Sequence, residues 1–467
     1  MKEKERGIWN FIDKIEGDKV VWIIVFMLTM ISALAIFSST SQLAGGSTER
    51  TDLIRQHTLV IIAGYAIIFI LYRIRKIGWF RILSQFGFFL SFILLILLTF
   101  GAKLGLTNVE NINHAVRTLN LFGYQIHVFE VVKVAMVMYM AWAIHSYKAD
   151  QEEIAATGKS SSLTIANLLA QTDTFKFMKK AFWKRMMYMY IPMLVTCTLT
   201  MKGSNSSAIF LGIVMLATLL IGGIPFKEVF LGFLVAATLV GSAAGLYYVS
   251  DGTILKNTRL GTMLSRIGND YSIERLDGLK ERSDEWFKVK DAIMQPYTAR
   301  IAIHEGGFLG KGSGNSTQKY VVSHIYSDYM FSFIVEEYGM WGAIIIIILF
   351  VSLIARGSMI ARLCSNEFAQ IAVGGLSLMI SGQAFMHICV NVGIGPMTGQ
   401  TLPLISDGSF AFIMFCIAFG IILSISRIAR NQIRQEEEAA APLYENADDV
   451  QVAMTVLDSI DSDNNEI

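Results

Sequence analysis

Apolar residues in this chain come in long unbroken runs, not at alternating or helical spacing. Ten such runs stand out, at roughly 20–40, 55–73, 79–101, 126–146, 186–201, 206–224, 227–249, 329–354, 367–394 and 408–427. A run of about 20 apolar residues is what a helix needs to cross a bilayer core. The fifth is short and is split from the sixth by Lys202-Gly203-Ser204-Asn205-Ser206-Ser207, which fits an ordinary turn. The pattern predicts an all-α polytopic membrane protein with about ten transmembrane helices. A long extracytoplasmic loop, about 250–328, joins helices 7 and 8. Residues 1–428 form one membrane domain, and 429–467 a tail.

Composition agrees. The chain of 467 residues is 53% hydrophobic and 16% charged, where soluble domains carry about a quarter charged residues. A net charge of +1 points to no particular partner and gives no reason to expect nucleic acid. The four cysteines, Cys197, Cys364, Cys389 and Cys416, lie in or beside apolar runs and read as small packing residues. The first 19 residues are charged and lead into a spanning-length run, so no cleavable signal peptide is expected.

Basic residues set the orientation. They mark the N-terminus (Lys2, Lys4, Arg6, Lys14, Lys19), alternate connections (Arg73, Arg75, Lys76, Arg81; Lys176, Lys179, Lys180, Lys184, Arg185; Arg356, Arg362) and the start of the tail (Arg427, Arg430, Arg434). Both termini are therefore expected to be cytoplasmic. Ile8, Trp9, Ile12 and Ile15 suit one face of a short interfacial helix. The tail after Arg434 has ten acids and no Lys or Arg, and reads as disordered: a solvated tail, or a docking segment for a cytoplasmic partner.

Four features carry candidate chemistry. The first is Asp328, where the long loop re-enters the membrane, followed by Glu336 and Glu337 inside the next run. Ionisable residues in spans are costly and mark function by default. Asp328 also fits an acid complementing a helix N-terminus. The second is Glu130 and Lys133, three residues apart on one helix face: a structural ion pair, or the wall of a polar cavity. Just before them, Arg117 places a cation at the outer surface, where it suits a lipid phosphate. The third is the run Gly306-Gly307-Phe308-Leu309-Gly310-Lys311-Gly312-Ser313-Gly314-Asn315-Ser316-Thr317-Gln318-Lys319. It fails the phosphate-loop template, because Glu305 stands where the first glycine belongs and Gly312 follows the lysine. Its glycines suit close backbone approach to a bulky ligand. The fourth is Pro396–Ser409, whose prolines and glycines forbid a regular helix and fit a re-entrant loop lining a cavity. The histidines, His387 among them, show no metal-ligand spacing and read as packing or surface residues.

Together these motifs, in this order over about residues 20–428, resemble the SEDS family (FtsW, RodA, SpoVE), and its FtsW-type members most. The glycine run looks like the family's GGLFGKGLGNSTQK. Ser327-Asp328-Tyr329 falls on T-D-F, Glu336-Glu337-Tyr338-Gly339 on E-E-L-G, and Thr398-Gly399-Gln400-Thr401-Leu402-Pro403-Leu404 on T-G-x-x-L-P-F. Arg117, Glu130 and Lys133 fall on its Arg, Glu and Lys; Arg259 and Arg266 on its paired arginines. Departures include Thr118 in place of a tryptophan, His127-Val128-Phe129 before Glu130, Ser323-His324-Ile325-Tyr326 at the start of the Asp loop, and Ser406-Asp407-Gly408-Ser409 in place of S-Y-G-G.

The resemblance implies a peptidoglycan glycosyltransferase that polymerises lipid II at the outer face of the bacterial cytoplasmic membrane, during division at the septum. Asp328 would be the catalytic base. Arg117, Glu130, Lys133, Arg259, Arg266, Lys311, Asn315, Ser316, Gln318, Lys319, Glu336, Thr398 and Ser406 would bind substrate. No cofactor is obligatory, although a divalent cation, Mg or Mn, is compatible with the diphosphate. Expected partners are lipid II, a class B penicillin-binding protein and other divisome proteins. Two rival readings share the fold: a lipid II flippase and a non-catalytic divisome scaffold.

Overall fold

The computed structural model describes residues 16–40, 47–101, 108–112, 115–121, 124–158, 163–170, 177–250, 261, 264, 284–321, 325–395 and 398–464. The helices are α1 (Lys19–Ser39), α2 (Ser47–Tyr72), α3 (Ile77–Phe100), α4 (Val128–Thr157), α5 (Thr164–Ala170), α6 (Ala181–Arg185), α7 (Ile191–Met201), α8 (Asn205–Ile221), α9 (Phe226–Val249), α10 (Asp284–Gly306), α11 (Met330–Leu363), α12 (Glu367–Asn391) and α13 (Ser409–Asn464). Among the described residues, eight helices are long and apolar enough to cross a membrane: α1 to α4, α9 and α11 to α13. The chain is a polytopic membrane protein.

The remaining two expected spans are helical but shorter. The run at 186–201 is a π-helical turn (Met186–Tyr190) between α6 and α7, and α8 has 17 residues. Ser204 separates them by capping α8, its hydroxyl accepting from Ser207 N at 3.3 Å.

Three elements depart from the all-α expectation or its loops. Residues 108–127 form an antiparallel sheet of β1 (Asn108–Ile112), β2 (Ala115–Leu121) and β3 (Tyr124–His127), in that order. Its register pairs Thr118 with His127 and Leu119 with Ile126, so β3 runs straight into α4. The expected loop at 250–328 contains α10, a 23-residue helix whose Thr298, Ala299 and Ala302 are buried while Tyr297, Arg300 and His304 face outward. The tail is described as helix to Asn464 rather than coil. Its Glu436–Ala441 stretch consists of strong helix formers.

α4, α12 and α13 form the buried centre, with α1, α3, α8 and α11 packed round them. α9 is almost wholly exposed and contacts α8. Outward residues such as Phe26, Ile62, Phe86, Phe230 and Ile345 are apolar, the inverse of a soluble surface.

At one end of the bundle Asp18 caps α1, accepting from Val20 N at 3.0 Å and Val21 N at 3.1 Å. The same carboxylate receives Arg356 Nε from α11, at 3.2 Å to Oδ1 and 3.1 Å to Oδ2. The opposite end gathers the sheet, α10, the glycine run, Asp328 and the 398–408 loop.

Candidate functional site

The glycine run is welded to a break in α11. Gly339 has φ 67° and ψ −162°, so the helix cannot continue through it. In an unbroken helix Met340 N would donate to Glu336 O, and Trp341 N to Glu337 O. Instead Lys311 N donates to Glu336 O and Gly312 N to Glu337 O, each at 2.9 Å, while Met340 N donates to Gly307 O at 3.1 Å. The run supplies the partners that the broken turn lacks. Such close contact needs residues without side chains: a Cβ on Gly310 would strike Glu337 O, and one on Gly339 would strike Phe308 O.

Glu336 then pins the run from inside. Its buried carboxylate accepts Lys311 Nζ (2.8 Å), Thr317 N (2.8 Å), Thr317 Oγ1 (3.0 Å), Gln318 N (3.2 Å) and Ser316 Oγ (2.5 Å). Glu337 accepts Ser38 Oγ from α1 at 2.6 Å and Gly314 N at 3.0 Å. Lys311 also reaches Glu305 and, at 2.7 Å, Thr317 Oγ1, so its three protons are all committed. Burial pulls the Lys311 ammonium down, but the hydrogen bonds to Glu305 and Glu336 outweigh it and hold it above the ordinary lysine value. The same Lys311 hydrogen bond, first among the causes, holds Glu305 below the ordinary carboxylate value. Lys319 is buried and donates to Gly314 O at 2.7 Å; Asn315 Nδ2 donates to Lys311 O at 3.0 Å.

Asp328 lies half-buried just before α11, accepting from Ser327 Oγ at 3.3 Å. Its backbone is held from two sides. Asn391, at the end of α12, donates to Asp328 O at 3.2 Å and accepts from Ser332 N and Oγ at 3.0 and 2.8 Å. Ser406 donates to Ser327 O at 2.8 Å, and Asp407 N donates to Tyr326 O at 2.9 Å. Burial pushes the Asp407 carboxyl above its ordinary range. The Tyr326 phenol is pushed up, first by burial and then by the charges of Asp407 and Asp328, so both carboxylates bear on it.

Lys133 sits in a third cluster that joins the second. Its ammonium donates to Glu130 (2.6 Å), Gln383 (2.6 Å) and Gln400 (3.1 Å), again all three protons. Gln400 Nε2 donates to Ser207 Oγ at 2.8 Å, and Ser206 Oγ to Thr398 O at 3.0 Å. The Gln400 backbone carbonyl accepts from His387 Nδ1 at 2.8 Å, which leaves Nε2 as the acceptor for Phe331 N at 3.4 Å. A continuous hydrogen-bonded path therefore runs from Lys133 through the 398–408 loop to the first turn of α11, three residues from Asp328.

Glu130, Lys133, Thr398, Ser406 and Asp328 share this layer. Lys311, Asn315, Ser316, Gln318, Lys319 and Glu336 form the neighbouring clasp on α11. Arg117 lies on β2, with its side chain outside the described residues, as are Arg259 and Arg266 entirely. The sequence offered His387 only as a packing or surface residue and singled out neither Gln383 nor Asn391. The available signal was three hydrogen-bonding side chains at i, i+4 and i+8, one face of an otherwise apolar helix.

Comparison with known proteins agrees with this arrangement. A family model described as "Cell cycle protein", FTSW_RODA_SPOVE, matches residues 18–431. The chain belongs to the FtsW/RodA/SpoVE family. It is 34% identical over 180 residues to a "Probable peptidoglycan glycosyltransferase FtsW" from Hahella chejuensis, covering 38% of this chain and 45% of the relative. Against the protein of that name from Bacillus subtilis it is 31% identical over 170 residues, covering 36% and 42%. The chain thus spans about half the length of the curated relatives it matches. Two solved structures share the family fold. One, titled "Structural coordination of polymerization and crosslinking by a peptidoglycan synthase complex", matches with TM-score 0.61 and 18% identity, covering 88% of this chain and 98% of that one. The other, the rod shape determining protein RodA of Thermus thermophilus, matches with TM-score 0.53 and 18% identity, covering 89% and 98%.

Proposed function

We propose that this chain is a peptidoglycan glycosyltransferase that polymerises lipid II, with Asp328 as general base. One observation carries the reading: a half-buried carboxylate at the mouth of the bundle whose backbone is fixed by Asn391 and by the Ser406 loop. A base held on rigid elements suits proton abstraction. The names of the FtsW relatives support the substrate, and the synthase-complex structure supports a crosslinking partner.

In the proposed reaction the Asp328 carboxylate takes the proton of the acceptor sugar's 4-hydroxyl. That oxygen bonds to the donor's anomeric carbon while the bond from that carbon to the diphosphate oxygen breaks. Its electron pair leaves with the polyprenyl diphosphate, the anomeric centre inverts, and the proton on Asp328 passes to solvent. Inversion places base and leaving group on opposite sides of the sugar. Among the described residues no three His, Cys, Asp or Glu side chains gather to hold a metal ion.

The finer reading follows the family: the bacterial cytoplasmic membrane with both termini inside, the division septum, a class B penicillin-binding protein as partner and further divisome proteins. The roles of Glu336, Lys311 and Lys133 are better described as positioning, because protein acceptors use every proton of both ammonium groups. That also weakens the flippase reading, which needs Glu130 and Lys133 to meet a ligand.

The test is glycan-strand synthesis from labelled lipid II by the purified protein with its cognate transpeptidase, wild type against Asp328→Ala. Strands from wild type alone are expected. Strands from both would remove Asp328 as the base; strands from neither, with both proteins folded and complexed, would favour a scaffold.

A further inference from the structure

The departing diphosphate needs a cation, and Lys133, Lys311 and Lys319 are engaged or buried. The outward face of α10 offers another. Tyr297, Arg300, Ile301, His304 and Glu305 line a shallow, open hollow of about 300 Å³ along the helix. Arg300 is exposed, and its guanidinium makes one weak contact, Nε to Pro296 O of its own helix at 3.4 Å. Among the described residues it has no ion-pair partner.

Its position is specific. The side chain lies across Gly393, where a Cβ would come within 3.0 Å of Arg300 Cδ and 3.7 Å of Nη1. Gly393 has φ 88° and follows Asn391, the residue that holds Asp328 O, by two positions. Arg300 is therefore linked to the Asp328 segment through the end of α12: it lies on Gly393, and Asn391 just before holds Asp328 O. The hollow's one carboxylate, Glu305, pairs with Lys311, which it shares with Glu336.

Resting on the glycosyltransferase reading above, we propose that Arg300, with His304 beside it, binds the diphosphate of the polyprenyl-linked donor. A planar guanidinium presents two parallel N–H donors in a fixed fork that matches two oxygens of a phosphate, a geometry an ammonium lacks. The sequence places Arg300 in no motif, and only the fold brings it against Gly393 at the end of α12.

The test is binding, not turnover. The full chain in neutral-lipid nanodiscs is titrated with undecaprenyl diphosphate, undecaprenol and phosphatidylglycerol, as wild type, Arg300→Gln, Arg300→Lys and Asp328→Asn. The expected result is diphosphate binding about tenfold or more weaker in Arg300→Gln, partly restored in Arg300→Lys and kept in Asp328→Asn, with undecaprenol unaffected. Equal diphosphate binding by wild type and Arg300→Gln overturns the assignment while leaving the proposed function standing. Phosphatidylglycerol binding with the same Arg300 dependence also overturns it, as a general lipid site. No diphosphate binding by wild type overturns both this inference and the reading beneath it.

Discussion

Removing the Glu336 carboxylate should release the glycine run from α11 while leaving the rest of the bundle folded. In Glu336→Ala five donors lose their acceptor. Two are backbone N–H groups, of Thr317 and Gln318, each costing about 1–3 kcal/mol when left unmade. Ser316 Oγ and Thr317 Oγ1 can turn to other acceptors, and Lys311, partly exposed, regains water and keeps Glu305. Local destabilisation of about 3 kcal/mol follows, the lower half of the backbone range. An opening free energy lowered by that much makes amide exchange roughly 100-fold faster. Hydrogen exchange resolved over residues 306–320 is the assay, with the amides of α4 and α12 as internal reference. Acceleration in 306–320 alone is expected, and Glu336→Gln, which keeps one acceptor oxygen, should fall between. Unchanged exchange in Glu336→Ala would refute the claim that this carboxylate holds the run.

Four further outcomes are expected. Asp328→Ala should lower polymerisation by about 10²- to 10⁴-fold with an unchanged melting curve. Lys133→Ala leaves Glu130 without its cation in a buried network and should cost about 3–5 kcal/mol in thermal or denaturant unfolding; Lys133→Met, which refills the volume, should recover only the packing share. Gly339→Ala puts a Cβ against Phe308 O at positive φ and should cost at least about 1–3 kcal/mol, read from unfolding and faster exchange in 306–320. Asp407 is held above its ordinary range by burial, so its charged form is disfavoured by folding and stability falls as pH rises from the unfolded to the folded value. Asp407→Asn should therefore raise the melting temperature at neutral pH, with the gain vanishing below the ordinary aspartate range.

Most of the spans were legible because a bilayer demands long apolar runs, and the capped starts at Asp18, Ser204 and Asn366 fell close to the expected ones, whereas α4 and α11 run well past theirs. The sheet at 108–127 was not, although Thr118-Leu119-Asn120-Leu121 alternates polar and apolar positions. So short an alternation beside a strong membrane signal is easily read as loop. α10 stayed hidden for the opposite reason: buried Thr298, Ala299 and Ala302 are small, so the helix packs closely on α11 without a pronounced apolar stripe. The site divides in the same way. Asp328, Glu336 and Lys133 were conspicuous as charges near or inside apolar runs. That Lys133 and Lys311 are saturated, and that His387 and Asn391 brace the Asp328 segment, depends on partners as far as 267 residues away, as between Lys133 and Gln400. No local pattern records such distances.

The Asp18–Arg356 pair bears on how the protein is made. Its members are 338 residues apart. At about 5–20 residues per second, the ribosome takes roughly 17 to 70 seconds to travel from one to the other. Throughout that interval α1 has left the ribosome with a capping carboxylate whose counter-charge does not yet exist. Burying it before Arg356 exists would be costly, which favours a wet position for the head of α1 until α11 is made. A chain truncated before residue 356 keeps the cap on α1 but lacks the Arg356 cation that meets it, a difference in charge between an unfinished protein and a complete one.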